Sequence, residues 1–339
     1  MADVNLESEA RKMCCASCGT AEVDDVKLKL CSDNHFGGLG CDLVRYCSDK
    51  CQEDHWLQHE SECTERMIEL HGETEVREWI FELEQIKDEI LFEQPESSHH
   101  GDCPICCLPL YPFTDQRANT SMSCCGKIVC SGCARRILDG GTCPFCRLPL
   151  PKTAEEYDRN ETKRAERNDP ASMHHIGASC YREGDYKSAF EYLTKATHRH
   201  DGDSSVWNAE AHLRLGHMYF DGKGVEMDPH EAQRHYEAAA MQGHPNARHI
   251  LAMAEEMKGR IDRAVKHFVI NANLGYDKSI QALMKHYKDG AICKDEYARA
   301  LRSYQAAVDA TKSPQREAAL KIVVRRKNSN GGFRNVFHL

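Results

Sequence analysis

Residues 211–243 read AHLRLGHMYFDGKGVEMDPHEAQRHYEAAAMQG, and this stretch predicts the fold of the largest part of the chain. Small residues and tyrosines recur in it at helical spacing, and the glycines at 222 and 224 mark a turn between two helices. Less regular copies of the same pattern begin near Ser172, Ala247 and Ala282. A period of about 32–39 residues is typical of a helical solenoid, in which small residues let paired helices approach closely.

The repeated segment resembles the Sel1-like repeat, a relative of the tetratricopeptide arrays, over residues 169–310. The Gly-x-Gly-Val turn at Gly222–Val225 is its most specific mark. The resemblance implies a scaffold that binds a protein partner. We therefore expect a mostly α protein, with two small zinc-stabilised modules followed by an α-helical solenoid of Sel1-like repeats.

The zinc modules are predicted from the cysteines, because seventeen of the nineteen lie before residue 147. Two cysteines separated by two residues can point both thiolates at one tetrahedral ion. Four such pairs occur: Cys15 and Cys18, Cys103 and Cys106, Cys130 and Cys133, and Cys143 and Cys146. The N-terminus is acidic and has no signal-peptide core, so we expect a cytoplasmic or nuclear protein that is not secreted, in which cysteines hold metal rather than form disulfides.

The first module is predicted over residues 14–63. The run Tyr46-Cys47-Ser48, followed by Gln52, Trp56 and His59, resembles the MYND-type zinc finger. The resemblance implies two interleaved zinc sites, one formed by Cys15, Cys18, Cys47 and Cys51 and the other by Cys31, Cys41, His59 and Cys63. Position 34 is Asn where the family has cysteine, so His35 is the rival of Cys41 as a ligand.

MYND fingers are protein-interaction modules that bind short proline-containing peptides. The groove residues of the family correspond to Gln52 and Trp56 here. An exposed tryptophan is a good anchor for an extended proline-rich ligand, which loses little entropy on binding. The alternative is that Trp56 packs inside the small finger.

The second module, residues 99–150, resembles a RING-type zinc finger. In the cross-braced arrangement of that family the first and third cysteine pairs share one ion, and the second and fourth pairs share the other. The ligands carried over are Cys103, Cys106, Cys124, Cys125, Cys130, Cys133, Cys143 and Cys146. The centre normally reads Cys-x-His, so two alternatives stay open: both Cys124 and Cys125 bind, or Cys125 binds alone while Lys127 occupies the histidine position.

RING fingers of the ubiquitin-ligase kind bind a ubiquitin-charged conjugating enzyme. The family's contact residues correspond to Ile105, Pro144 and Arg147, where the arginine stands at the position of a cation that bridges ubiquitin and the enzyme. The aromatic residue often found between the last two pairs is missing, and Ile137 or Leu138 would replace it. The expectation is a ubiquitin ligase without a covalent catalytic residue; the alternative is a non-catalytic, zinc-dependent adaptor.

The remaining segments complete the expected organisation. Residues 1–13 are predicted to be disordered, 64–98 to form a helical linker, 151–168 a solvated charged connector and 311–339 a basic tail. We expect about four structural zinc ions in total, from two sites in each finger. The net charge of −9 argues against nucleic acid as a partner, and no apolar stretch approaches the ~18 residues of a membrane span.

Overall fold

The fold was analysed in a computed structural model, which describes residues 29–30, 45–46, 65, 68–69, 72–111, 119–197, 206–319 and 321. The chain divides into two units, residues 1–90 and 91–339. Among the described residues, no helix combines the length and the apolar character that crossing a bilayer requires.

In the first unit, a two-stranded antiparallel ribbon pairs β1 (Lys29–Leu30) with β2 (Arg45–Tyr46). Helix α1 (Glu73–Leu91) follows as one continuous helix. It begins directly after Gly72, whose left-handed backbone, with φ +90°, interrupts the chain before the helix. Apolar side chains on α1 are exposed, with Phe81 60% and Ile86 52% accessible.

The second unit begins with a small finger and one helix. The finger contains β3 (Asn119–Ser121), which pairs antiparallel with β4 (Ile128–Cys130), and helix α2 (Ser131–Gly140). Helix α3 (Ala154–Ala165) follows and is capped by the Thr153 side chain, which accepts a hydrogen bond from the Glu156 amide. The segment predicted as a solvated connector is therefore a helix.

Eight further helices follow α3 within the described residues, and the two helices of each successive pair pack against each other. They are α4 (Pro170–Glu183), α5 (Tyr186–Thr197), α6 (Val206–Asp221), α7 (Pro229–Met241), α8 (Pro245–Met257), α9 (Ile261–Asn273), α10 (Asp277–Lys288) and α11 (Lys294–Ala310). The four pairs coincide with the four predicted repeat copies, so the predicted fold class is confirmed.

A cap residue followed by proline starts several of these helices. Asp169 precedes Pro170 and Asp228 precedes Pro229, and each aspartate accepts hydrogen bonds from amides of the first turn. Proline at the first helical position loses no hydrogen bond, because its missing N–H would have no partner within the helix. The sequence therefore fixes where the repeat helices begin.

Close packing between paired helices depends on small residues, as the repeat pattern predicts. Gly216 on α6 faces Tyr236 on α7, and a Cβ at residue 216 would lie 2.5 Å from that ring. Ala211, Ala239 and Ala240 nearby are completely buried. The tyrosine ring fills the space that the glycine leaves, which explains why these residue types recur at matching positions.

Candidate metal centres in the cysteine-rich finger

Two turns of the finger have the same backbone. Residues 103–110 read CPICCLPL and residues 143–150 read CPFCRLPL. In each, the amide of the first cysteine donates to a carbonyl five residues later at 2.9 Å. Cys107 and Arg147, at equivalent positions, both have left-handed backbones, with φ of +54° and +61°. We call these segments the first and second knuckles; each brings two thiols to one side of a tight turn.

A third turn, residues 122–127, repeats this backbone with one change of side chain. The Met122 amide donates to the Lys127 carbonyl at 2.9 Å, and the Gly126 amide donates to the Met122 carbonyl at 2.7 Å. Met122 thus stands where each knuckle has its first cysteine. Cys124, inside the turn, provides the second thiol beside Cys125. The sequence signal for this substitution is the adjacent Cys124-Cys125 pair itself.

The first cluster joins the first knuckle to the start of α2. The thiols of Cys103, Cys106, Cys130 and Cys133 all lie within 4.8 Å of one another. Sγ of Cys106 is 3.8 Å from Sγ of Cys130. A tetrahedron whose corners lie ~2.3 Å from a central zinc has an edge of about 3.8 Å, whereas a disulfide would need ~2.05 Å. The spacing therefore fits four zinc ligands and no disulfide.

The second cluster joins the second knuckle to the third turn. Cys124, Cys125, Cys143 and Cys146 lie within 4.8 Å of one another, and Sγ of Cys125 is 3.7 Å from Sγ of Cys143. Both adjacent cysteines belong to this cluster, and Lys127 is exposed. The pairing of first with third and second with fourth cysteine pairs is the cross-braced arrangement expected from the sequence. Cys107 is exposed and belongs to neither cluster.

In each cluster one thiol has a lowered pKa and its neighbours have raised ones. Burial raises the pKa of Cys130, Cys133 and Cys143, and hydrogen bonding with Cys125 raises that of Cys124. Hydrogen bonding with the Cys124 thiol, above all, lowers the pKa of Cys125 to about 5. Burial alone would raise the pKa of Cys106, but hydrogen bonds from the Leu108 amide and the Arg316 guanidinium outweigh it and lower that pKa to about 6. A bound zinc ion deprotonates its thiol ligands, so four thiols gathered around one point suit a closed, structural zinc ion in each cluster.

A buried arginine near the end of the described chain holds the first knuckle. Arg316 is fully buried and donates to the carbonyls of Pro109 at 2.6 Å, Leu108 at 3.0 Å and Thr311 at 2.8 Å. Its Nη2 also donates to Sγ of Cys106 at 3.4 Å. The segment predicted as a basic tail therefore contains, at residues 311–319, an ordered part that packs on the finger; residues 322–339 lie outside the described part.

Helix α3 holds the finger at the third turn. Nη1 of Arg164 donates to the Ser123 carbonyl at 3.1 Å, and its Nη2 donates to Asp169 at 2.6 Å. Glu161, 3% exposed, pairs with the same guanidinium. The expectation of a solvated connector misses these contacts, because charge-rich composition cannot distinguish a buried ion pair from an exposed one.

The residues expected to contact a conjugating enzyme are exposed. Ile105, inside the first knuckle, is 43% accessible, and Pro144 and Arg147 in the second knuckle are also exposed. Of the two replacements for the missing aromatic residue, Ile137 is 7% accessible and belongs to the core of the finger, whereas Leu138 is 37% accessible. Leu138 is therefore the one available for a partner.

The predicted ligands and groove residues of the first module lie outside the described residues. These are Cys15, Cys18, Cys31, His35, Cys41, Cys47, Cys51, His59 and Cys63, together with Gln52 and Trp56. Their roles stay predictions.

Comparisons with known proteins agree with two of the three modules. The model of the MYND finger family matches residues 15–63, and that of the Sel1 repeat matches residues 170–201 and 209–244. No curated protein sequence matches the chain. These matches leave the finger of residues 99–150 uncovered, so its RING identity stays a prediction.

Among solved structures, the chain is similar to a Sel1 repeat protein from Oxalobacter formigenes, with 20% identity over 53% of this chain and 72% of that one, and a TM-score of 0.37. It is also similar to an immunity protein from Pseudomonas aeruginosa, with 16% identity over 54% and 83% of the two chains and a TM-score of 0.29. The family matches and the cysteine clusters identify a zinc-binding protein built from protein-interaction modules.

Proposed function

We propose that the chain is a RING-type ubiquitin ligase that recruits a ubiquitin-charged conjugating enzyme through residues 99–150. The observation that carries this proposal is the cross-braced pair of four-thiol clusters, whose two matching knuckles leave Ile105, Pro144 and Arg147 exposed. A finger that served only to bind metal would not need an exposed aliphatic residue in one knuckle and a cation directly after the last ligand of the other.

Zinc in this proposal supplies structure, since each cluster already offers four thiols and leaves no open position for water. The reaction takes place on the bound partners. A neutral lysine amine of the substrate attacks the thioester carbonyl; a C–N bond forms, the C–S bond breaks, the cysteine thiolate of the conjugating enzyme leaves, and the amine releases a proton to solvent. The finger accelerates this step by holding the thioester in a reactive orientation.

Arg147 has the central role in that positioning. Its guanidinium is planar and always charged, so it can donate charge-assisted hydrogen bonds to carbonyl oxygens of both ubiquitin and the conjugating enzyme at once. The left-handed backbone at residue 147 turns the chain immediately after Cys146. Ile105 and Leu138 supply the apolar contact area for the enzyme, at 43% and 37% accessibility.

The other modules would select the substrate. The Sel1-like helices and the finger belong to one unit, and Arg316 and Arg164 tie the finger to segments on either side of the repeat array. A protein bound by the repeats would therefore lie at a fixed position relative to the conjugating enzyme. The MYND finger would add a site for a proline-containing peptide, and the thiolate-rich modules suit the reducing cytoplasm or nucleus.

The test is ubiquitin-chain formation by the purified full-length protein with a panel of conjugating enzymes. Wild type is compared with Ile105→Ala and Arg147→Ala, and with Arg159→Ala as a matched control, because Arg159 is an exposed arginine on α3 outside the finger. Chains from wild type and the control, lost in the two finger variants at unchanged zinc content, would support the proposal.

The rival function is a non-catalytic adaptor. A folded protein with its full zinc content that forms no chains with any conjugating enzyme would overturn the ligase proposal. It would leave the finger as a rigid spacer between binding modules.

A further inference from the structure

Residues 97–101, which precede the first cysteine ligand of the finger, contact the repeat array through their backbone. The His99 amide donates to the Gly243 carbonyl at 3.3 Å. Gly243 has a left-handed backbone with φ +79°, and a Cβ on it would lie 2.7 Å from the Ser97 carbonyl oxygen. Only glycine permits this approach. Residues 97–101, here called the strap, therefore sit against the turn between α7 and α8.

The strap brings two consecutive histidines to a buried carboxylate. Ligand atoms of His99, His100 and Glu210 lie within 4.8 Å of one another, and all three residues are buried. Nε2 of His99 is 3.2 Å from Oε1 of Glu210. A third imidazole approaches from the start of α8, where Nε2 of His244 lies 3.3 Å from the same oxygen and its side chain has no accessible surface.

The strap cluster, defined as His99, His100, Glu210 and His244, is more than a hydrogen-bonded core. Within the described residues, Nδ1 of His99 is buried without a hydrogen-bond partner, while Nε2 of the same ring faces Glu210. Buried polar atoms are normally partnered. A buried imidazole nitrogen without a partner, in a side chain grouped with a second histidine and a carboxylate, is what a bound cation would satisfy.

A neighbouring histidine shows the contrast. His174 is also buried, but its Nε2 already accepts a hydrogen bond from Nε of Arg214 at 3.1 Å. The nearby guanidinium also repels a cation. His174 is therefore outside the proposed ligand set.

We propose that the strap cluster is a metal site for a divalent first-row transition ion, with Zn²⁺ as the expected occupant. His99, His100 and Glu210 provide the ligands. His244 positions Glu210, because its Nδ1 accepts a hydrogen bond from the Ala247 amide and its protonated Nε2 faces the carboxylate. Two imidazoles with one carboxylate are a donor combination that zinc and its neighbours accept. The site contains no thiol, which distinguishes it chemically from the cysteine clusters.

The position of the site gives the ion a structural purpose. His99 and His100 stand just before Cys103, the first ligand of the finger. Glu210 lies on α6, and His244 caps the start of α8. The buried surroundings leave no room for substrate. An ion here would clamp the entrance of the finger to the repeat array, and so fix the orientation that a partner on the array has toward the finger.

The test exploits the absence of sulfur. The full-length protein, purified from zinc-supplemented cells, is treated with an organomercurial that displaces zinc from thiolates, and the metal that stays bound is counted by mass spectrometry. We expect one ion per chain to survive in wild type and in His249→Gln, a control on α8 whose histidine is half-buried but outside the cluster. The ion should be lost from His100→Ala and Glu210→Gln.

A second measurement guards against variants that do not fold. Wild-type protein loaded with Co²⁺ and then treated with the organomercurial should keep a visible spectrum without thiolate charge-transfer bands, as nitrogen and oxygen ligation requires. Complete release of metal from wild type, or an ion retained equally by folded His100→Ala and Glu210→Gln, would overturn the proposal. The strap cluster would then be a hydrogen-bonded core alone.

Discussion

The guanidinium of Arg316 lies 3.4 Å from the sulfur of Cys106, a residue 210 positions earlier in the chain. The same side chain donates hydrogen bonds to the backbone carbonyls of residues 108, 109 and 311. The segment after the last repeat helix thus contacts the ligand shell of the first cluster, and it links the stability of the repeat array to that of the finger.

Replacing Arg316 with alanine should destabilise the protein by roughly 2–3 kcal/mol, because buried hydrogen bonds from a charged group are lost and the carbonyls are left without donors. Urea unfolding followed by circular dichroism measures the effect. Arg302→Ala is the control, since Arg302 is exposed on α11. Equal stability of the two variants would contradict the assigned role of Arg316.

Cys124→Ser should lower the zinc content by about one ion per chain, because a three-thiol cluster with a hydroxyl binds zinc much more weakly. Cys107→Ser, in an exposed residue of the same finger, and Lys127→Ala should both retain full zinc. Metal analysis after dialysis gives the answer. Zinc loss from Lys127→Ala rather than from Cys124→Ser would mean that the second cluster is assigned wrongly.

Gly216→Ala should cost about 1–3 kcal/mol, because the new methyl group would overlap the buried Tyr236 ring at 2.5 Å. The matched control is Gly140→Ala at the end of α2, where a Cβ would meet nothing within 4 Å. The control should be neutral or stabilising by up to about 1 kcal/mol. Thermal unfolding of both variants tests the pair, and an unaffected Gly216→Ala protein would refute the close helix contact.

A histidine pair in the second repeat should make stability fall with acid. Burial, with the charges of His212 and Arg234, lowers the pKa of His235 to about 3, below its ordinary 6.5. Nδ1 of His235 lies 2.8 Å from Nδ1 of His212, a hydrogen bond in which one of the two rings must be a neutral acceptor. The Tyr219 ring stacks on the His235 ring.

Between about pH 6.5 and pH 3, therefore, residue 235 is protonated in the unfolded chain and neutral in the folded chain. The stability from the neutral ring is complete above that range and is lost as the pH falls through it. His235→Gln should show a shallower decline, by at most about 1.4 kcal/mol per pH unit. Urea unfolding at a series of pH values compares the variant with wild type; parallel curves would disprove the assignment.

The sequence predicts the repeat array well because its signals are local. Proline after an aspartate cap and glycine after a helix restrict the backbone of one helix pair. Small residues such as Gly216, which faces Tyr236, mark where the paired helices pack closely. The cross-braced pairing of the cysteines is also present in their spacing, because a tight turn brings two thiols together whatever lies around it.

Contacts between distant segments could not be predicted in this way. Arg164 and Arg316 stand in charge-rich stretches that resemble a connector and a tail, yet both are buried against the finger, because carbonyls of the knuckles and turns need donors there. The strap cluster combines residues 99, 100, 210 and 244, whose separation exceeds any motif spacing. Such sites depend on how the helices stack.

The central claim is that the finger activates a ubiquitin-charged conjugating enzyme. It is tested most directly by single-turnover discharge of the enzyme–ubiquitin thioester onto free lysine, which needs no substrate protein. We predict that the wild-type chain and Arg159→Ala accelerate discharge, and that Arg147→Ala, with unchanged zinc content, loses at least about tenfold of that acceleration, the equivalent of about 1.4 kcal/mol. Discharge at the same rate with and without the zinc-loaded wild-type protein, for every conjugating enzyme tried, would contradict the claim.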